Sequence, residues 1–514
     1  MTKRIFCFFL SLWILVSLAG GVLAADSLTT TSLPDGSLTF SINGSTLSIS
    51  GAILCDDLEK VWLTAGESER IINARNSTSF RETLSLSGTE TIPVKVFTKK
   101  TTEELYWSYI WQTLFIEHTA DGYRFVTTLV YDHNAAMMDT WINPAEQIAE
   151  VSPAVAEKAS EIVGHETDPY RQLLAIHSWA AEILYYDNDY YTGRSASTAL
   201  TPEDVLATGR SVCQGYANLV QALCHAQGIP CILITTWSAG TGTDGFLSAD
   251  DHTSINESNH AHAAAWVNGR WVHMDATWDS ANRFENGEKI RQADSGYLYF
   301  DTTLPFLSLN HKIITVPQTT AENTPSDWAI PEVRAALEAE IVPLSIQGNY
   351  RTAITRVRFC ELLTTMLMRR MGYDSLEEMI IGEALSIDEN IFTDTEGFTI
   401  RREIAAANAL GIVNGRGNGI FDPASGITRQ EAATMLMRAA QVLGISMGEN
   451  ARSFSDLPEA AEWAVSGILY TASLQTPAGQ AVMNGVSETS FSPTSTYTVE
   501  QAILTMVRLF AVQK

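Results

Sequence analysis

Cys213, His260, His262 and Asp275 are the residues whose types and spacing could do chemistry. A thiol attacks a carbonyl as its thiolate, and three devices usually supply one: a helix N-terminus, a neighbouring histidine, and a carboxylate or amide that orients the ring. All three can be built here. Cys213 follows Gly209-Arg210-Ser211-Val212 and opens an expected helix that runs to about Gln227 and is closed by Gly228-Ile229-Pro230. The helix dipole and the unspent N–H groups of a first turn favour negative charge at that position. The N–H of Cys213 itself is a candidate oxyanion donor.

The histidines and the aspartate fall on an expected hairpin. His260 to Val267 and Arg270 to Trp278 read as two strands around the two-residue turn Asn268-Gly269. With Val267 opposite Arg270, counting outward sets His262 opposite Asp275 and His260 opposite Thr277, all on one face. Asp275 then reaches His262 directly or His260 diagonally, at Cβ separations of roughly 5 and 7 Å. Register alone leaves both open.

Further elements must hold these groups in place. Cys231 to Trp237 reads as a buried strand, Pro144 to Val163 and Tyr170 to Leu184 carry helical spacing, and residues 238–258 read as a long polar loop. Upstream, from Ser27 to about Asp132, alternations such as Leu38-Thr-Phe40-Ser-Ile42 and Leu47-Ser-Ile49-Ser predict short strands in a β-sandwich-like domain. Asp35-Gly36, Asn43-Gly44 and Asp121-Gly122 supply its turns.

Downstream, residues 316–327 read as a polar linker with two prolines. The chain beyond residue 327 repeats. Phe392-Thr-Asp394 and Phe454-Ser-Asp456 open two units, and Phe421-Asp-Pro423 and Phe491-Ser-Pro493 recur within them. Ile354-Thr-Arg356, Ile427-Thr-Arg429 and Tyr497-Thr-Val499 begin a second helix in each of three units. A period of about 60 to 70 residues with paired helices marks stacked modules.

The 514 residues, 45% hydrophobic, exceed one ordinary domain. Lys3 and Arg4, the apolar run Ile5 to Leu18 and the small residues ending at Ala24-Ala25 form a signal-peptide pattern, so export and a mature chain without a membrane span are expected. The 33 basic against 59 acidic side chains, a net charge of −26, oppose nucleic acid or an anionic membrane surface as partner. Without Cys7 of the leader, Cys55, Cys213, Cys224, Cys231 and Cys360 remain, an odd number with neither a disulfide framework nor zinc-ligand spacing. Cys224, Cys231, His225 and His273 read as structural residues, and Trp266, Trp271 and Trp278 as packing. Asp187-Asn188-Asp189 and Asp250-Asp251 lack the glycine and glutamate of a calcium loop and read as solvated. No metal and no cofactor is expected.

Gly209-Arg-Ser-Val-Cys213-Gln-Gly215-Tyr216-Ala217, His260-Ala261 and Gly269-Arg-Trp271-Val-His-Met-Asp275-Ala-Thr277-Trp278 resemble, in that order, the transglutaminase-like superfamily of papain-like cysteine enzymes, over about residues 165–285. The resemblance implies Cys213 as nucleophile, His260 as general base and later acid, and Asp275 as the residue that fixes the imidazole tautomer. His262 occupies the place of a family tryptophan and stands as the alternative base. The C-terminal units resemble S-layer homology repeats, whose trios bind secondary polymers attached to peptidoglycan. Trp328-Ala329 and Trp463-Ala464 match the early Trp-Ala of such repeats, and Thr355-Arg356 and Thr428-Arg429 match their Thr-Arg. Trp328, Arg356, Arg429 and Trp463 are therefore the implied polymer-binding residues. Val499 replaces the third arginine, so two working grooves are expected.

The expected fold is multidomain: a β-rich N-terminal domain, an α+β papain-like transglutaminase core, and all-α C-terminal repeats. The boundaries are 1–24 signal peptide, 25–135 β-rich domain, 136–315 catalytic domain, 316–327 linker, and repeats at 328–390, 391–447 and 448–514. The expected function is a secreted, wall-held thiol enzyme that acts on amide bonds of a protein or peptide substrate through a Cys-His-Asp triad and a thioester, as a peptidase or amidase when water takes the acyl group or as a transglutaminase when an amine does. Its alternative is a wall-bound adhesion or scaffold protein without catalysis.

Overall fold

In the computed structural model, residues 27–30, 36–102, 104–109, 114–125, 128–239, 254–291, 296–449 and 452–513 are described. The signal segment expected at 1–24 and the pair Asp250-Asp251 lie outside the described residues. Among the described residues, eight antiparallel strands build the N-terminal region: β1 (Ser27–Thr29), β2 (Gly36–Asn43), β3 (Thr46–Ala65), β4 (Ser68–Ser85), β5 (Ile92–Lys100), β6 (Trp107–Ser108), β7 (Leu114–Thr119) and β8 (Gly122–Phe125). They join in one hydrogen-bonded sheet of order β1-β2-β3-β5-β7-β8, with β4 on β3 and β6 on β5. The sandwich expected from the alternation is thus one continuous sheet. β3 and β4 pair along their length, with register shifts between Leu54 and Lys60, and a bulge there bends the ribbon. Leu47 and Ile49 before the bulge and Val61 and Leu63 after it fall in one buried cluster. That cluster also takes in Leu298, Tyr299, Phe306, Leu307 and Leu309 from beyond the expected domain boundary.

Helix α1 (Thr128–Asp139) leads into the central domain, followed by α2 (Pro153–Val163), α3 (Pro169–Ile183), β9 (Tyr185–Asp187), α4 (Asn188–Tyr191), α5 (Pro202–Thr208), β10 (Arg210–Ser211) and α6 (Cys213–Ala226). The helical run expected from Pro144 is broken, because a short 3-10 turn at Pro144–Glu146 gives way to coil before Ser152-Pro153. Proline pushes the preceding residue out of the helical region and itself suits a first helical position. β11 (Cys231–Ser238), β12 (His260–Val267), β13 (Arg270–Met274) and β16 (His311–Thr315) form a sheet of order β13-β12-β11-β16. β9 and β10 pair in a second sheet with β14 (Arg283–Glu285) and β15 (Glu288–Ile290). Helix α6 lies on β12, with Tyr216, Leu219, Val220 and Leu223 in one core with Ala263, Ala265, Val267 and Val272. The alanines of β12 keep that approach close.

Among the described residues, seven α-helices follow: three pairs, Ile330–Glu338 with Arg356–Met371, Arg401–Ala409 with Arg429–Val442, and Glu462–Ser473 with Val499–Ala511, and a short helix, Leu376–Gly382, after the first pair. Each second helix is N-capped by the threonine of its motif, since Thr355, Thr428 and Thr498 accept from the N–H groups of Arg358, Glu431 and Gln501. The residues before these caps close a ring about a pseudo-threefold axis. Ile354 N–H donates to Tyr497 O (2.8 Å), Tyr497 N–H to Ile427 O (3.1 Å), and Ile427 N–H to Ile354 O (3.1 Å). The segment expected as a linker is packed: Thr319 Oγ1 donates to Trp141 O (3.0 Å), and Ala321–Asn323 forms a 3-10 turn. Among the described residues, no helix is long and apolar enough to cross a membrane.

Candidate active site

Cys213 is the first residue of α6, preceded by Val212 in extended conformation with no side-chain cap. Gly215 and Tyr216 N–H groups bond to Val212 O (3.0 and 3.2 Å), and the N–H groups of Cys213 and Gln214 stay unspent among the described residues. Gly215 is needed for this arrangement. A Cβ there would lie 2.0 Å from Ser211 Oγ and 2.9 Å from Ala199 O. The N-terminal turn therefore sits directly on the Ser211 strand end.

The Asn268-Gly269 turn closes the hairpin as the sequence predicts, with φ of 53° and 73° and with Val267 paired to Arg270. The ladder, however, ends at Ala263 opposite Met274. Asp275 leaves the strand and N-caps the helical turn Ala276–Asp279, its Oδ1 accepting from the N–H groups of Thr277 (3.0 Å) and Trp278 (3.1 Å). Thr277 is consequently not opposite His260. The cap turns Oδ2 toward His260, whose Nε2 lies 2.5 Å away. The other ring nitrogen, Nδ1, is the one left for Cys213. His262 Nε2 instead meets His273 Nδ1 at 3.3 Å, and both rings are buried.

The charges fit a thiolate–imidazolium pair. Burial pushes the His260 pKa down, but the Asp275 carboxylate and the Cys213 sulfur outweigh it and raise it to about 10. Burial pushes the Cys213 thiol up, and the His260 ring and the Ala261 N–H outweigh that to give a net lowering. Asp275 is buried, which disfavours its charge, yet His260 and His311 hold its carboxyl far below the ordinary range. His262 goes the other way. Burial, then the neighbouring His273, holds its pKa well below the usual value, and burial brings His273 to about 4. The Tyr186 phenol, partnered in the sheet with Ser211, is held protonated by burial and by the Cys213 charge.

Sequence reasoning missed His311. Its Nε2 lies 3.5 Å from Asp275 Oδ2, its Nδ1 lies 2.5 Å from Asn310 Oδ1, and Asn310 Nδ2 donates to Tyr299 Oη at 2.7 Å. Trp278 covers this group, its ring 4.7 Å from that of His311 and 6.1 Å from that of His260. The only signal was a polar Asn310-His311 pair between apolar runs, with no motif spacing to Asp275. His260, Asp275 and His311 also bring ligand atoms within 4.8 Å of one another, so these are the residues that could hold a metal ion. The 2.5 Å His260–Asp275 contact is a hydrogen bond that an ion would have to open.

Elsewhere in the central domain, Cys224 and Cys231 are buried core residues, and His225 bonds Cys231 O (3.0 Å). Trp266 and Trp271 pack edge to face at 5.2 Å. Asp187 and Asp189 are not solvated but buried. Asp187 accepts from the Tyr190 N–H (3.1 Å) and Thr198 Oγ1 (2.8 Å), and Asp189 from the Asn286 and Gly287 N–H groups (both 2.8 Å).

In the helical units Trp328 and Trp463 are exposed. Arg356 and Arg429 are turned inward: Arg356 Nε donates to Phe421 O (2.9 Å), and Arg429 donates to Phe491 O (2.8 Å) and Asn484 O (2.5 Å). Both guanidinium groups lie over the ring of the phenylalanine they bond, at 5.0 and 4.7 Å.

Comparison with known proteins finds similarity to parts of the chain. The mouse kyphoscoliosis peptidase is 28% identical over 130 residues, which are 25% of this chain and 19% of that protein. An endoglucanase from Bacillus sp. (strain KSM-635) is 26% identical over 181 residues, 34% of this chain and 17% of that protein. The chain thus spans less than a fifth of the length of these curated relatives. The periplasmic domain of TgpA from Pseudomonas aeruginosa aligns with 46% of this chain and 72% of its own, at 10% identity and a TM-score of 0.20. Two family descriptions match: the transglutaminase-like superfamily over residues 156–276, and the S-layer homology domain over residues 391–433. The chain therefore carries a transglutaminase-like domain, which contains Cys213, His260 and Asp275, and an S-layer homology domain C-terminal to it.

Proposed function

We propose that this protein is a secreted thiol hydrolase that cleaves amide bonds of a protein or peptide substrate while three S-layer homology repeats hold it to a secondary cell-wall polymer. The observation that carries the enzymatic part is the 2.5 Å bond between His260 Nε2 and Asp275 Oδ2, with Cys213 at the free N-terminus of α6. Cys213 thiolate attacks the amide carbonyl carbon, and the C=O electron pair moves onto oxygen. The unspent N–H of Cys213 faces that charge. Collapse expels the amine, which takes its proton from the His260 imidazolium, and leaves a thioester at Cys213. His260, now neutral, takes a proton from water as the water attacks, and the thiolate departs. Asp275 keeps the proton on Nε2 and the Nδ1 lone pair toward sulfur. A lysine amine in place of water would give a crosslink by the same first step.

The three-repeat reading is supported by the hydrogen-bonded ring of Ile354, Ile427 and Tyr497 and by the three threonine caps. Exposed Trp328 and Trp463 offer faces to a polysaccharide, and the inward arginines shape the groove walls. The test is intact-mass spectrometry after mixing with p-nitrophenyl acetate. An acyl adduct that forms on the wild type, is absent in Cys213→Ser and is slowed at least tenfold in His260→Ala is expected. Acylation of equal rate in His260→Ala would sink the catalytic assignment.

A further inference from the structure

The junctions between the helical units are not alike. At the first, Arg356 bonds and covers Phe421, and Asp394 accepts the N–H groups of Phe421 (2.9 Å) and Asp422 (2.7 Å). At the second, Arg429 treats Phe491 in the same way, and Asp456 accepts from Phe491 (2.8 Å) and Ser492 (2.7 Å). Main-chain bonds fix the equivalence: Val357 N–H to Pro423 O (3.0 Å), and Gln430 N–H to Pro493 O (2.9 Å). Asp422 and Ser492 share a left-handed φ of 62° and 60°.

The third junction keeps the main chain and changes the side chains that define the other two. Glu500 N–H bonds Tyr350 O (2.8 Å) as its counterparts bond the prolines, and Val499 N–H bonds Thr352 O (3.0 Å) as Arg429 N–H bonds Ser495 O (3.0 Å). Asn349 has the left-handed φ, 49°, and its N–H goes to Asn323 Oδ1 at 2.8 Å. Val499 thus stands where the arginine would, Gly348 where the phenylalanine would, Asn323 for the aspartate and Tyr350 for the proline. The cation, its aromatic platform and the carboxylate have gone together.

The central domain packs against this junction. Trp141, just after α1, meets the Tyr350 ring edge-on at 5.6 Å and donates from Nε1 to Asn323 O (3.0 Å). Its ring belongs to the hydrophobic core of the helical units. Asn143 Nδ2 donates to Gln347 O (2.9 Å), and a Cβ on Gly348 would stand 2.7 Å from Asn323 Oδ1 and 3.9 Å from Asn143 Nδ2. A side chain at 348 would have to displace the Asn323 amide, and it would start in contact with Asn143. A second contact agrees: the Asn268-Gly269 turn presses on the Ile330–Glu338 helix so closely that a Cβ on Gly269 would lie 2.4 Å from Glu338 Cα. Arg334 of that helix pairs with Asp139.

We infer that the third inter-unit groove has been converted from a ligand groove into a socket for Trp141 and Asn143. The socket locks the catalytic domain to the wall-binding units as one body and leaves two grooves open. The part about the polymer rests on the proposed wall attachment, whereas the docking does not. One consequence is geometric: the hairpin bearing His260 holds a fixed orientation to the wall rather than swinging on a tether.

The test uses the exported full-length protein. Glutamyl endopeptidase cuts after Glu322, which lies exposed in the docked segment, and retention on purified polymer-bearing sacculi reports the open grooves. The double variant Trp141→Ala, Asn143→Ala should be cut at least tenfold faster than wild type and still be retained. Trp463→Ala, which alters one of the two open grooves, should weaken retention at an unchanged cutting rate. Should the double variant fail to fold, Asn143→Ala alone, which keeps the tryptophan, should still be cut several-fold faster. Wild type cut as fast as these variants, or scattering in solution that requires the two parts to move independently, overturns the socket. Loss of retention by wild type itself would overturn the wall-polymer reading and the two open grooves, and leave the cutting result to judge the docking.

Discussion

Replacing His260 by alanine tests the thiolate pair at its source. In the wild type, burial alone would raise the Cys213 pKa, and the His260 ring and Ala261 N–H reverse the sign. Without the ring the burial penalty remains, so the thiol should titrate at or above the ordinary value of about 8.5. At pH 6.5 such a thiol is about 1% ionised or less, and every unit by which the wild-type pKa lies lower is a further factor of ten in thiolate. Iodoacetamide labelling of Cys213, followed by peptide mass, should therefore fall about tenfold or more at pH 6.5. The two rates should converge above pH 10. The pair itself has a window. His260 is raised to about 10 by Asp275, so its positive charge persists below that pH and is lost as pH rises through it. Asp275→Asn removes that support, lets His260 fall toward about 6.5, and should move the upper limb of the pair down by up to about three units. His262→Ala should leave the profile in place, because His262 bonds His273 rather than Asp275. Equal labelling of wild type and His260→Ala at pH 6.5 would refute the pair.

The buried cysteines give a control: Cys224, Cys231 and Cys360 are buried, with Cys360 pushed up to about 12. Native protein at pH 7 should carry no label at these three, and rapid labelling at Cys360 would contradict the packing of its helix. Arg429→Ala should cost about 2–4 kcal/mol in thermal unfolding, because it strips donors from two main-chain carbonyls. Arg429→Lys should recover little, since an ammonium cannot reproduce the planar fork; an unchanged Tm in both would show the arginine to be dispensable for folding. Thr428→Ala removes a reciprocal cap and should cost about 1 kcal/mol by denaturant titration; a loss below the error of the method would argue against the cap.

Local chemistry made much of this protein legible in the sequence. The Asn268-Gly269 pair demands a tight turn with two left-handed residues, Gly228-Ile-Pro230 stops α6, and threonine before a helical run predicts its cap, so the hairpin, the Cys213 helix and the repeats follow from short-range rules. The alternation of Leu38, Phe40, Leu47 and Ile49 likewise forces strands, because each sends one face to a core. It carries no information on whether those strands form one sheet or two. Long-range partners decided the rest. Which histidine meets Asp275 depended on the aspartate leaving its strand to cap a turn. His311 entered only because β16 lies beside β11, a pairing between residues more than seventy positions apart. A stretch with the composition of a linker became a docked segment because Trp141, Asn143 and Gly348 converge from distant parts of the chain. Spacing fixes neighbours along one element, whereas contacts between elements depend on how whole faces pack, and only the tertiary structure expresses that.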